Sequence, residues 1–277
     1  MKRTPPPRLA VLALLLVLPA CDTLPGLVDP MARFEPRWNV HRLTGKASMQ
    51  SGTAASPVNN PRNKARDLGQ DHHDGDFGAL LQVGDGFSGI DFRYDRIDMT
   101  DTQPGILGSD FGALTAGDAV TSRLEGDEFR IGYFGAILDE TLSEGRWRLQ
   151  LAPGVLLAHR DWKWSFREGT GARREALKIE DQGTPYAGLR ARLARGPFQV
   201  QAEYLANPDL HWGGDVEGWC NDAEVALRYA FEDQDVSIAV GYRYSDFEAA
   251  GVERGLRYEA DLALEGYFFA VTIGFSF

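Results

Sequence analysis

Few histidines and carboxylates in this chain are spaced to act together, and those that are fall in stretches without hydrophobic periodicity. Asp209 and His211 stand two residues apart in Asn207-Pro208-Asp209-Leu210-His211-Trp212, so an extended backbone places both on one face. An imidazole beside a carboxylate can activate a water, provided other groups lie within contact. Asp98 and Asp101, three residues apart, are the acidic pair that could stand opposite. A second cluster, Asp71-His72-His73-Asp74-Gly75-Asp76, offers imidazoles and carboxylates to a divalent cation. Adjacent histidines diverge on an extended chain, which favours a solvated loop there. Asp209, Asp215, Glu217 and Asp222 could hold Ca²⁺ or bridge to lipopolysaccharide, although scattered carboxylates usually serve only to solvate a loop. His159 with Ser165 is a faint hint of a base and nucleophile, with a rim histidine as the plainer reading. Nothing in these spacings implies a cofactor.

The elements that must carry these groups are strands. In Tyr267 to Phe277, YFFAVTIGFSF, the odd positions Tyr267, Phe269, Val271, Ile273, Phe275 and Phe277 are apolar, whereas most even positions are small. Period-2 alternation between two environments is the mark of a strand. A chain ending on such a face with a terminal Phe resembles the closing strand of bacterial outer-membrane β-barrels. The resemblance implies that Phe269, Val271, Ile273, Phe275 and Phe277 form an assembly signal read by the barrel-assembly machinery.

The N-terminus points to export. Lys2, Arg3 and Arg8 precede the apolar run Leu9 to Leu18, which is too short to span a ~30 Å bilayer as a helix. Leu18-Pro19-Ala20-Cys21 resembles a lipobox, which implies a signal peptide over 1–20 and lipidation of Cys21; an ordinary signal cleaved after Ala20 is the alternative. Cys220 is then the only other cysteine, so no disulfide framework is expected and a buried thiol is the plain reading. A net charge of −11 argues against a nucleic-acid partner.

Nine alternating segments follow one another, centred on 77–83, 90–94, 129–137, 147–157, 187–193, 198–204, 223–231, 236–245 and the terminal strand. Short connections alternate with long polar stretches near 51–75, 99–126, 167–183, 206–221 and 247–265. In outer-membrane barrels the short turns are periplasmic and the long loops external. With the N-terminus periplasmic and residues 21–36 as a tether, a weak strand over 37–49 must ascend first. The expectation is an all-β, antiparallel up-and-down transmembrane β-barrel over 37–277 with ten strands, or eight if one segment is a loop hairpin. Pro153 requires a bulge or bend, and the apolar set changes parity around Gly266, where a bulge or a strand start is expected.

The alternation also says which face is outside. The apolar faces are nearly free of charge and aromatic near their ends, as a lipid-facing surface would be. The polar faces carry Arg93, Arg130, Arg148, Arg190, Arg192, Arg228 and Arg243 with Asp91, Asp95, Glu203 and Glu224. Those charges can pair and plug a narrow barrel, and the chain is too short for a wide pore.

Asp209-x-His211 also looks like the Asp-x-His element of the omptin proteases, ten-stranded outer-membrane barrels with catalytic residues at the extracellular rim. That resemblance implies a facing acidic pair, for which Asp98 and Asp101 depart from the family's spacing. The overall expectation is a Gram-negative outer-membrane surface protein in contact with lipid and lipopolysaccharide, with a structural, adhesive or ligand-binding role through external loops. The alternative is a rim-located hydrolase, omptin-like or acting on lipid A.

Overall fold

The computed structural model describes residues 31–100, 103–142, 146–231 and 235–276. The signal segment, Cys21, Asp101 and Phe277 lie outside the described residues. Ten long strands run β1 Met31–Met49, β2 His73–Gly84, β3 Gly89–Thr100, β4 Ala119–Phe134 and β5 Trp147–Glu168, then β6 Arg174–Arg195, β7 Phe198–Pro208, β8 Val216–Ala230, β9 Val236–Glu253 and β10 Leu256–Ser276. Each pairs antiparallel with the next, and β1 pairs β10 from Met31↔Ser276 to Met49↔Tyr258, which closes the ring. Closure leaves the lower wall without a free edge. The fold is a ten-stranded antiparallel up-and-down β-barrel. Among the described residues no helix is long and apolar enough to cross a membrane.

The first strand is longer than expected. It starts at Met31, so residues 31–36 belong to the wall and not to a tether. Its alternation reads weakly because the inward positions Glu35, Arg37, Asn39 and His41 are polar, whereas Leu43, Ala47 and Met49 further along the same face are apolar.

That inversion recurs around the barrel and accounts for the main differences from the sequence reading. Along β10 the even residues face inward throughout: Tyr258, Ala260, Leu262, Leu264, Phe268 and Ala270 are buried, and the registers to β1 and β9 are unbroken. No bulge or strand start exists at Gly266. What changes there is the chemistry on either side of the wall. In the lower half apolar residues point out and polar residues in; in the upper half polar residues point out and an apolar core lies inside. The stretch 247–265 is therefore mostly strand, with only Arg254-Gly255 between β9 and β10. Likewise β5 and β6 extend to Glu168 and from Arg174, β4 begins at Ala119 and β8 at Val216.

Pro153 sits where β5 changes partner, between the short strand Leu138–Leu142 and the start of its pairing with β4 at Gly154↔Phe134. A residue without an N–H fits at that gap. The register shift of β5 lies higher, between Ala158 and Arg160, where Gln182 and Gly183 of β6 oppose the single residue His159. This bulge moves the inward face of β6 from odd residues (Leu177, Ile179, Asp181) to even ones (Thr184, Tyr186, Arg190).

Candidate functional site

The lower lumen is filled by charge. Eight arginines (37, 93, 130, 160, 190, 192, 228 and 243) face eight carboxylates (Glu35, Asp91, Asp95, Glu128, Asp181, Glu203, Asp222 and Glu224), nearly all of them buried. Arg37 and Arg93 each donate to Glu224 Oε2 at 2.8 Å. Arg243 reaches Asp95 at 2.7 Å and Asp222 at 3.0 Å. Arg130 spans Glu128 and Asp222 at 2.9 and 2.8 Å. Arg228 meets Glu35 at 2.7 Å, and Arg190 binds both Glu203 and Asp91. Arg192 meets no carboxylate; it donates to Gln150 Oε1 at 2.7 Å and to the Gly86 carbonyl at 3.0 Å. The Arg190 guanidinium also lies 3.7 Å from the centroid of Phe134, whose ring occupies the space a Cβ at Gly154 would need. The cavity left among these groups is about 20 Å³, lined by Arg37, Arg93, Arg130, Arg190 and their partners. That is room for roughly one water molecule.

Asp222 belongs to this network and is not a loop ligand for Ca²⁺. Arg148 stands at the lower mouth on the inward parity of β5: half exposed, it makes a bidentate pair with Asp139, which also accepts from Gln150, the partner of Arg192. Glu35, Arg37, Glu128, Arg160 and Asp181 were not expected in the network. Their signal was parity alone, since Arg37 alternates with Trp38, Glu128 with Phe129, and Arg160 with His159.

Above this layer the lumen is apolar. Trp162, Trp164 and Phe166 of β5 point in, and Trp162 meets Phe247 of β9 edge-on at 5.0 Å. The connection between β3 and β4 lays Leu107, Phe111 and Leu114 onto this core, with Phe111 against Phe166 at 4.8 Å. Ala113 N–H donates to Glu175 Oε1 at 2.8 Å, tying the connection to β6. At the rim, Ser48, Gln50, Asn59, Asn60, Arg257 and Glu259 line an open polar groove of about 450 Å³.

Of the candidate catalytic groups, Asp209 and His211 lie close together, whereas Asp98 is bound to a neighbouring strand. His211 is tucked against the wall: its Nε2 donates to the Gly218 carbonyl at 2.9 Å, and its Nδ1 lies 3.1 Å from Thr184 Oγ1. Thr184, fully buried, donates in turn to Asp181 Oδ2 at 2.7 Å. Asp209, at φ 61°, accepts the Gly218 N–H at 2.9 Å and stands 3.8 Å from His211 Nε2. Asp98 is on the outward parity of β3, held by Arg123 of β4 through two 2.9 Å bonds that keep its carboxyl below the usual carboxylate range. His159 and Ser165 share the outer face of β5 but are six residues apart, roughly 20 Å along a strand.

The 71–76 cluster is likewise dispersed. Arg42 reaches Asp71 at 3.0 Å, Asp74 accepts the Thr100 N–H at 2.7 Å, and Asp76 accepts the Asp98 N–H at 2.9 Å. His72 precedes β2 and His73 opens it at its upper end, both of them exposed. Among the described residues no three ligating side chains converge to hold a metal ion.

No protein-family model matches the chain, and no curated protein matches it. Among solved structures it is similar to the outer membrane protease OmpT from Escherichia coli, at 13% identity and TM-score 0.46 over 92% of this chain and 99% of that one. It is also similar to a Pseudomonas aeruginosa FadL homologue, at 9% identity and TM-score 0.38 over 90% and 91%. A third is the Pseudomonas putida toluene transporter TodX, at 8% identity and TM-score 0.31 over 89% and 90%.

Proposed function

We propose that this protein is a sealed outer-membrane barrel that acts at the cell surface through its upper half, as a structural or ligand-binding element and not as a conduit. The observation that carries this reading is a lumen closed twice. An ion-paired layer fills the lower lumen, where the cavity lined by its arginines is about 20 Å³, and an apolar core packs above it. The membrane seat is supported by the outer face. Trp38, Phe77, Phe129, Phe198, Val225, Val240, Tyr267 and Phe269 are each about half exposed and form one apolar belt. A patch of that extent on a water-soluble monomer would be unusual. From Tyr267 to Phe275 the belt covers roughly 27 Å of strand, or ~21 Å of height at a tilt near 40°, close to the ~25 Å expected of a membrane barrel.

In this reading the charged segment 2–8 and the apolar run 9–18 export the chain, Cys21 carries a lipid, and the N-terminus lies in the periplasm. The C-terminal face ending in Phe277 recruits the assembly machinery, and lipopolysaccharide surrounds the upper half. The engagement of both His211 nitrogens and the pairing of Asp98 with Arg123 support a structural role for these groups over hydrolysis. The test is reconstitution into planar bilayers. The folded barrel, verified by heat-modifiable gel mobility, is expected to give no steady conductance; persistent single-channel current would overturn the sealed reading.

A further inference from the structure

The upper edge of the apolar belt can be followed strand by strand through the register. It runs Trp38↔Phe77 on β1 and β2, then Tyr94↔Phe129 on β3 and β4. Tyr204 on β7 pairs Ala223 of β8, which pairs Tyr244 of β9, and Tyr242 pairs Tyr267 of β10. Two adjacent strands, β5 and β6, carry no aromatic at this level, where His159 and the outward residues Pro185, Ala187 and Leu189 stand, and on β8 the place is taken by Ala223 between two tyrosines. Aromatic side chains gather at membrane–water boundaries because an apolar ring with a polar tip suits both media.

A loop residue occupies the gap. The segment between β7 and β8 folds back along the upper part of β6. Trp212 N–H donates to the Gly183 carbonyl at 3.0 Å, Gln182 N–H to the Gly213 carbonyl at 3.2 Å, and Asp181 bridges Gly214. The indole of Trp212 lies over Gly183 beside Leu157, the last apolar outward residue of β5; a Cβ at Gly183 would sit 3.3 Å from both side chains. Trp212 nevertheless remains 43% exposed. Its neighbours extend the surface upward. Leu210 is half exposed, and Trp219 is 62% exposed on the outward parity of β8. Tyr204 Oη donates to Asn221 Oδ1 at 2.8 Å, which places Trp219, two residues further on the same face, directly above the Tyr204 position. The loop is held in this shape by Asn207, which bonds both the N–H and the carbonyl of Leu210, and by His211 on Thr184 and Gly218.

We infer that Trp212, with Leu210 and Trp219, is seated in the outer leaflet of the membrane and completes the aromatic boundary that β5 and β6 leave open. The inference rests on the membrane reading above. Its occupant is the acyl–headgroup boundary of the lipid, because the patch is continuous with the belt through Leu157. A consequence is that the membrane stands higher on the β6–β8 side than on the opposite wall, where Arg42 and Lys46 face outward just above Trp38 and Val40.

The chain has six tryptophans, so Trp→Phe substitutions can report on position. The folded protein is placed in phosphatidylcholine vesicles carrying shallow brominated lipids, and emission quenching is compared with that by aqueous iodide for Trp38→Phe, Trp212→Phe and Trp219→Phe. Trp212→Phe and Trp219→Phe are each expected to remove a lipid-quenched share of emission, with Trp212→Phe comparable to Trp38→Phe. If they remove only iodide-quenched emission while Trp38→Phe removes lipid-quenched emission, the membrane reading stands and this inference fails. If Trp38→Phe leaves lipid quenching unchanged, the membrane reading itself fails and this inference with it. Heat-modifiable mobility of each variant shows that the barrel is intact.

Discussion

Arg37 of β1 meets Glu224 of β8 across the lumen at 2.8 Å, joining strands three positions apart around the wall. The same carboxylate oxygen takes Arg93 of β3 at 2.8 Å, so one acidic side chain braces three strands.

Replacing Glu224 by Gln removes the charge that balances two buried guanidiniums. Breaking one side of a buried pair typically costs about 3–5 kcal/mol. The temperature at which the compact electrophoretic form is lost should fall clearly. Asp98→Asn, which removes a surface partner of Arg123, should cost less than about 1 kcal/mol and leave that temperature nearly unchanged. Equal effects of the two variants would contradict the division between braced lumen and solvated wall.

The apolar upper core predicts a separate response. Trp162→Ala empties a fully buried site against Phe247, a change that typically costs about 3–5 kcal/mol. Limited proteolysis should then cut the segment around 103–118, which rests on this core, while the belt strands stay protected in lipid. A core that resists protease as well as the parent does would show that Trp162 carries little of the packing.

His211→Ala removes two contacts that pin the connection between β7 and β8. Net hydrogen-bond contributions near 1 kcal/mol each put the local loss at about 1–3 kcal/mol. Hydrogen exchange over 209–215 should accelerate about tenfold or more, with β1 and β10 unaffected. Unchanged exchange there would mean that the glycines and the β6 backbone bonds hold the loop without the histidine.

Cys220 is fully buried on the inward parity of β8. At pH 8 a maleimide should label Cys220 at least tenfold more slowly in the folded barrel than in denaturant, as read by mass spectrometry. Rapid labelling of the folded form would place the thiol at an accessible surface.

Much of the wall was legible in the residues. Val236 to Tyr244 and Tyr267 to Phe275 alternate because the chemistries of the outer face and the lumen are opposites there, and that contrast is written at every second position. The same rule failed above the belt. Leu262 and Leu264 face inward on the parity that faces Phe268 and Ala270 inward, but water now lies outside and an apolar core inside. The alternation survives with its meaning reversed, so 247–265 read as loop although it is strand. The candidate site fared differently again. Asp209 and His211 are close in space, yet nothing in their spacing announced that His211 would be engaged by Gly218 and Thr184, or that Arg123 would hold Asp98 on the outer wall.

The sequence by itself determined the strand class, the expectation of ten strands and the apolar outer face of the lower wall, because these follow from local periodicity and from the lengths of connections. Tertiary structure alone decided which charges meet, such as Arg37 with Glu224 or Arg130 with Asp222, since each pair is far apart in sequence and is brought together only by ring closure. It also decided that an apolar core fills the upper lumen and that a loop tryptophan stands where β6 has none. Those outcomes depend on register and on the bulge beside Gly183, and no window of neighbouring residues contains that information.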